Sequence, residues 1–173
     1  MNFKLFARNR RGFTLIELII VIAIIIILTG IAVPLSAGYI TERNVYNAAT
    51  QVQQDLLLAQ SLAITHSSGA SGWFEIYFYP SDNKYYVETT EDAKFTPPST
   101  KSGKVITRQF NSVLKFSLSQ SLLDSGGKIN FNNFGNPNPS GESIITIFNT
   151  SENKKINVTI STIGRVKIDW VTK

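Results

Sequence analysis

Glu17 is the only charged residue among the 21 positions from Phe13 to Val33. An acidic side chain in hydrocarbon costs about 2.5–3.5 kcal/mol on insertion scales. Its chemistry is therefore that of an ion pair awaiting a cation, not of catalysis. The other reactive side chains are sparse. His66 is the single histidine and there is no cysteine, so neither a histidine cluster nor a thiolate template can hold zinc. A Ser-His-Asp triad would have to use His66 beside Ser67 and Ser68, where a solvated helix-end residue is expected. The stretch "SSGASG" is glycine-rich but lacks the Gly-Lys-Ser/Thr ending of a phosphate loop, so it reads as a linker. Glu88, Glu91 and Asp92 lack the spacing of a calcium loop and read as a solvated acidic turn. No catalytic centre, metal site or cofactor is expected, and the chain reads as a structural protein.

The element that carries Glu17 is unusual in length and flanks. As a helix, 21 residues span about 31 Å, close to the ~30 Å hydrocarbon core of a bilayer. Lys4, Arg8, Arg10 and Arg11 precede it, and the first charges after it are Glu42 and Arg43. That asymmetry holds the N-terminus in the cytoplasm. Four of the five net positive charges thus precede residue 12, so a pI near 9.5 says little about nucleic acid. Three ordinary readings compete. A secretory signal cut after Ala37 has a shorter apolar core. A twin-arginine signal is suggested by "NRRGFTL", but the run is too apolar for that route. A plain membrane anchor leaves Glu17 unexplained.

A fourth reading accounts for every part. "RRGFTLIELIIVIAIIIILTGIAVP", residues 10–34, resembles the cleavage and methylation segment of type IV prepilins and type II secretion pseudopilins. That pattern is a basic leader ending in Gly, then Phe-Thr-Leu-Ile-Glu, then an apolar helix interrupted by Gly and Pro. The resemblance implies a leader at 1–12, cut by a prepilin peptidase between Gly12 and Phe13, with N-methylation of Phe13. It implies that Glu17 pairs with the Phe13 amine of a neighbouring subunit, and that Pro34 kinks the helix. It also implies partners: other pilin or pseudopilin subunits, and an inner-membrane assembly platform with its motor. The chain would pass once through the bacterial cytoplasmic membrane, head outside, before entering a filament.

Beyond the apolar run at 13–33, residues 34–69 read as an amphipathic helix. Val45, Ala49, Val52, Leu56, Ala59 and Ala63 recur at steps of four and three, which is one helical stripe. Leu57, Leu58, Leu62 and Ile64 are expected to widen its docking face. Residues 70–173 change texture to short aromatic and β-branched runs. "WFEIYFY" and "YYVETT" flank "PSDNK" as a hairpin; "VITRQF", "VLKFSL" and "KINF" read as further strands. "SQSLLDSGG" and "NNFGNPNPSGE" read as loops, and "SIITIFN", "KINVTIS" and "GRVKIDW" as three consecutive strands. One long helix on a mostly antiparallel sheet is an α+β, pilin-like architecture.

The helix end "LLLAQSLAI", the loop "INFNNFGNPNPSGESIITIFN" and "KINVTISTIGRVKI" together resemble the GspH/FimT-type minor pseudopilins and minor pilins. Gln60 stands where that group often has arginine, which puts any role of that arginine in doubt. The resemblance implies a structural subunit of a type II secretion pseudopilus or type IV pilus, acting in initiation or at the tip. It also implies an alternative, a DNA-binding minor pilin for natural transformation. In that reading Arg165 and Lys167 of "GRVK" contact phosphate, with Lys154, Lys155 and Lys173 nearby.

Overall fold

The computed structural model describes residues 13–65, 74–88, 105–151 and 153–171, with the side chains of 31–37 outside the description. Expectations for the leader through Gly12, for His66, Glu91 and Asp92, and for Lys173 fall outside these residues. The chain divides into two compact units, Met1–Ile40 and Thr41–Lys173. Helix α1 (Leu15–Thr65) contributes to both, and its backbone is helical at Pro34. Among the described residues no helix is long and apolar enough to cross a membrane.

In the second unit the expected helical stripe is the docking face. Val45, Ala49, Val52, Leu56 and Ala59 are fully buried, and Ala63 nearly so. Leu57, Leu58 and Ile64 depart from expectation and stay exposed, at 44%, 37% and 46%. Each is rotated by about 100° from its neighbour in the stripe, which turns it away from the core. Leu62 alone of the four packs against the core.

The strands are β1 (Glu75–Tyr79), β2 (Lys84–Glu88), β3 (Val105–Gln109), β4 (Leu114–Leu118), β5 (Lys128–Phe131), β6 (Pro137–Asn138), β7 (Ser143–Asn149), β8 (Lys155–Ile160) and β9 (Val166–Trp170). They form two sheets, not one: β3-β2-β1-β5-β6 and β4-β7-β8-β9, with every ladder antiparallel. The chain leaves the first sheet at β4, which pairs with the distant β7, returns to it for β5 and β6, and then completes the second sheet. The hairpin β1–β2 and the meander β7–β8–β9 match the sequence reading. Burial alternates strictly along β1, β7 and β8, whereas β2 is buried at four successive residues. An aromatic cluster joins the sheets, with Phe78 5.3 Å from Tyr85 and 6.0 Å from Phe116, and Phe110 5.0 Å from Phe116 (ring centroids).

Two expected loops contain structure. Within 119–127 lies helix α2 (Gln120–Asp124), anchored by the fully buried Leu122. Gly126 and Gly127, both at positive φ, return N–H groups to Leu123 O (2.9 Å) and Leu122 O (2.7 Å), which ends it. Five residues are too few to show a helical period. Within 132–142 lies β6, whose Asn138 and Pro137 pair with Asn130 and Phe131.

Candidate functional site

The predicted processing and assembly residues meet at the start of α1. Phe13 is 89% exposed and directly precedes Thr14. Glu17 Oε2 accepts hydrogen bonds from Thr14 N (3.0 Å) and Thr14 Oγ1 (3.1 Å). Glu17 N donates to Thr14 Oγ1 (3.3 Å). This reciprocal arrangement is a capping box, in which two side chains satisfy N–H groups that a helix start leaves open. Sequence reasoning missed it, although the Thr-x-x-Glu spacing was there to be read. Glu17 therefore has an intrachain role before any partner arrives. Following it, the large apolar side chains from Leu15 to Leu28 are all about half exposed or more, down to 48% at Ile22. A helix that is apolar all round is one to be covered by lipid or by protein.

A second constellation forms at the far end of α1. Gln60 Nε2 donates to Gly135 O (2.8 Å) and Gly164 O (2.9 Å), and Gln53 Nε2 donates to Val166 O (3.3 Å). Two glutamines seven residues apart thus donate to one carbonyl of β9 and to the carbonyls of two turns. Gly135 and Gly164 have φ of +79° and +80°, a region that favours glycine. A Cβ on Gly164 would collide with Gly135 O and stand 2.5 Å from Gln60 Nε2. The glycines of the "FNNFG" and "GRV" stretches are thereby explained: two turns and one amide share the same space. Glutamine at position 60 is a bridge between them.

A third cluster was not foreseen. Asp55, 4% exposed, accepts from Tyr85 Oη (2.7 Å to Oδ2) and from Arg108 through Nε (3.0 Å to Oδ2) and Nη2 (3.2 Å to Oδ1). Burial pushes the Tyr85 hydroxyl pKa well up, and the Asp55 charge adds to the shift. The hydrogen bond to Asp55 raises that of Arg108. A signal existed: Asp55 follows Val52 by three and precedes Ala59 by four, so the buried stripe passes beside it.

The residues considered for DNA are only partly gathered. Arg165 and Lys167 lie at and within the edge strand, exposed, but Lys167 Nζ is 2.8 Å from Asp169 Oδ1. Lys154 Nζ is held 2.8 Å from Glu42 Oε2, and Lys155 Nζ sits 5.7 Å from the Phe148 ring centroid. Among the described residues no group of three or more His, Cys, Asp or Glu is placed to hold a metal ion.

Comparison with known proteins bears on the N-terminal segment and on the fold. A family model described as the prokaryotic N-terminal methylation motif matches residues 7–33. The type IV minor pilin FimU of Pseudomonas aeruginosa is similar in structure, with a TM-score of 0.52, 13% identity, and 72% of this chain and 91% of that one covered. A second crystal form of FimU gives 0.53, 16%, 75% and 92%. The minor pseudopilin EpsH from the type 2 secretion system of Vibrio cholerae gives 0.53, 12%, 73% and 97%. No match is found among curated protein sequences. The matched motif is thus confined to the N-terminal segment, and the fold is that of FimU and EpsH.

Proposed function

We propose that this chain, with a prepilin-type methylation motif and a pilin fold, is a minor pilin or pseudopilin: a structural subunit that acts in filament initiation or at the tip. The observation that carries the reading is the position of the motif. It covers residues 7–33, and its Phe13 and Glu17 stand at the capped start of α1. The chain inserts in the inner membrane with its N-terminus cytoplasmic. A prepilin peptidase cuts Gly12–Phe13 and methylates the new amine, and Pro34, which lacks an N–H, loosens the helix on its way into the filament. An assembly platform and motor supply the work of extraction. Transfer from lipid to a helix bundle gains little hydrophobic energy, so packing and charge pairing must favour assembly.

In this reading Glu17 serves twice. It caps its own helix through Oε2 and pairs with the Phe13 ammonium of the next subunit, in register and in low dielectric. Mass spectrometry of the mature N-terminus tests processing: a methylated Phe13 is expected, and a start at Gly38 would overturn the reading. The two roles of Glu17 separate by substitution. Glu17→Gln retains a cap acceptor and loses the charge; Glu17→Ala loses both, with the cap worth about 1 kcal/mol. Both variants should insert in the membrane and fail to enter filaments. Normal incorporation of Glu17→Gln would refute the ion pair.

DNA uptake is the second function class of this scaffold, and the Lys167–Asp169 pair weighs against it. DNA binding across salt concentrations decides. A steep slope that flattens on Arg165→Ala or Lys167→Ala would replace the structural reading by DNA uptake.

A further inference from the structure

Each sheet ends in two outer strands, β3 and β6 in one, β4 and β9 in the other. An outer strand carries backbone groups without a ladder partner, which invite another chain unless something blocks them. Strand β6 has only two residues, and one is Pro137. On β9 the outward carbonyl of Val166 accepts from Gln53, and Lys167 and Asp169 charge the strand. On β4 both outward groups of Leu114 are engaged. Its N–H donates to Asn111 O (2.8 Å), and its carbonyl accepts from Asn83 Nδ2 (2.8 Å). Strand β3, Val-Ile-Thr-Arg-Gln, has no proline, starts with three β-branched residues, and pairs its one charge, Arg108, with Asp55.

The register shows which groups of β3 face outward. Phe110 N donates to Asn83 O (3.1 Å), which makes Asn83 and Phe110 a hydrogen-bonded pair. Such pairs alternate along an antiparallel ladder, so Tyr85–Arg108 and Val87–Ile106 are the next two. The N–H and C=O groups of Val105, Thr107 and Gln109 therefore point away from β2, and none is hydrogen-bonded among the described residues. Beside this edge lies a cavity of about 130 Å³, lined in part by Ala48 and Gln51 of α1 and by Arg108, Gln109 and Phe110. Arg108 gives Nε and Nη2 to Asp55. Its Nη1 and the side-chain amides of Gln51 and Gln109 are unengaged among the described residues. A guanidinium end and two amides suit a side chain that accepts hydrogen bonds.

We infer that the outer edge of β3 takes an extended segment of a different polypeptide as an added antiparallel strand, with a carboxylate side chain in the Gln51–Arg108 cavity. Bonds at Thr107 and Gln109 leave Arg108 as the non-hydrogen-bonded position between them, where facing side chains come closest. The residue opposite Arg108 thus shares its face of the sheet, the face that bears the cavity. A second copy of this chain fits badly. Pairing two β3 edges through Thr107 and Thr107 sets Ile106 against Arg108; pairing Thr107 with Gln109 sets Arg108 against Arg108. Neither register supplies a carboxylate. The added strand goes beyond the filament reading and depends neither on processing nor on entry into a filament.

The chain has no cysteine, so Gln51→Cys and Gln109→Cys can each carry a benzophenone maleimide in cells producing the full chain. After illumination the cross-linked peptides are sequenced. Both positions should join the same segment of one other polypeptide, and that segment should contain an aspartate or glutamate. Thr107→Pro removes an outward N–H and no bond to β2, so the melting temperature of the head should stay unchanged. The same variant should lower both cross-link yields about tenfold. Replacing the partner's acidic residue by lysine should lower them as well. Yields that survive Thr107→Pro overturn the added strand, and yields that survive the lysine overturn the cavity contact. Absent products, different segments at the two positions, and products within the chain or between its copies each overturn the inference. Gln109→Pro, read with the label at Gln51→Cys, is the second variant. A lowered melting temperature in both proline variants would mean that the outward groups are engaged within the chain, and overturns the open edge.

Discussion

The two halves of α1 differ in where their apolar surface goes. Between Leu15 and Leu28 every large apolar side chain is about half exposed or more. Between Val45 and Ala63 six residues at steps of four and three are buried against two sheets. The first half is apolar on all sides and the second on one stripe. One is built for surroundings that are apolar in every direction, the other for a single protein surface.

The largest test of that contrast is a pair of truncations. Leu56→Ala, in the buried stripe, should lower the stability of the head by about 2–5 kcal/mol through lost burial and a residual cavity. Ile24→Ala, 50% exposed in the first half, should leave head stability unchanged. Chemical denaturation of the detergent-solubilised chain compares them. Equal losses would erase the distinction between the halves.

Asp55 sharpens the same contrast, because the second half buries a charge as well as a stripe. Asp55→Ala leaves the Tyr85 hydroxyl and the Arg108 guanidinium without their acceptor, at a cost of about 3 kcal/mol. The same measurement checks it, and a loss below about 1 kcal/mol would mean that water replaces the carboxylate.

Glycine provides an internal control at the helix end. Gly164→Ala meets Gly135 O and the Gln60 amide and needs φ of +80°, so about 1–3 kcal/mol is expected. Gly141 has nothing within 4 Å of an added Cβ, so Gly141→Ala should be within about 0.5 kcal/mol of neutral. Similar losses at both positions would show that the Gln60 junction imposes no steric demand.

What the sequence disclosed follows the range of each interaction. The stripe from Val45 to Ala63 and the alternation in β7 to β9 are local periodicities, and both were legible. Thr14 and Glu17 are three residues apart, and their capping box was legible too, though overlooked beside the question of the charge. Gln60 reaches partners 75 and 104 residues away, and β4 pairs with β7 across an intervening helix and two strands. No period encodes such pairings. Helix α2 was hidden for the opposite reason: its single buried side chain, Leu122, is too little pattern to see. Exposed Leu57, Leu58 and Ile64 mark the limit of hydropathy, which counts apolar residues without knowing how wide the facing surface is.

The smallest effect is a slope with pH, and it starts from the tyrosine that meets Asp55 of the second half. The Tyr85 hydroxyl donates to Asp55 at 2.7 Å, and burial followed by the Asp55 charge raises its pKa. An unfolded tyrosine loses its proton near pH 10, whereas the folded chain retains it. The native state then binds more protons than the unfolded one, so stability falls as pH rises. The contribution is present in full below about pH 10 and is lost as pH climbs toward the folded value. Tyr77 and Tyr79 on β1 are raised as well, each chiefly by burial, and share the slope. Each proton held only by the folded state gives at most about 1.4 kcal/mol per pH unit. Denaturation midpoints between about pH 8 and about pH 11 should therefore be flat and then decline, with a shallower decline in Tyr85→Phe. A decline that Tyr85→Phe leaves untouched would remove Tyr85 as a source of it. A decline beginning well below pH 9 would require a different titrating group.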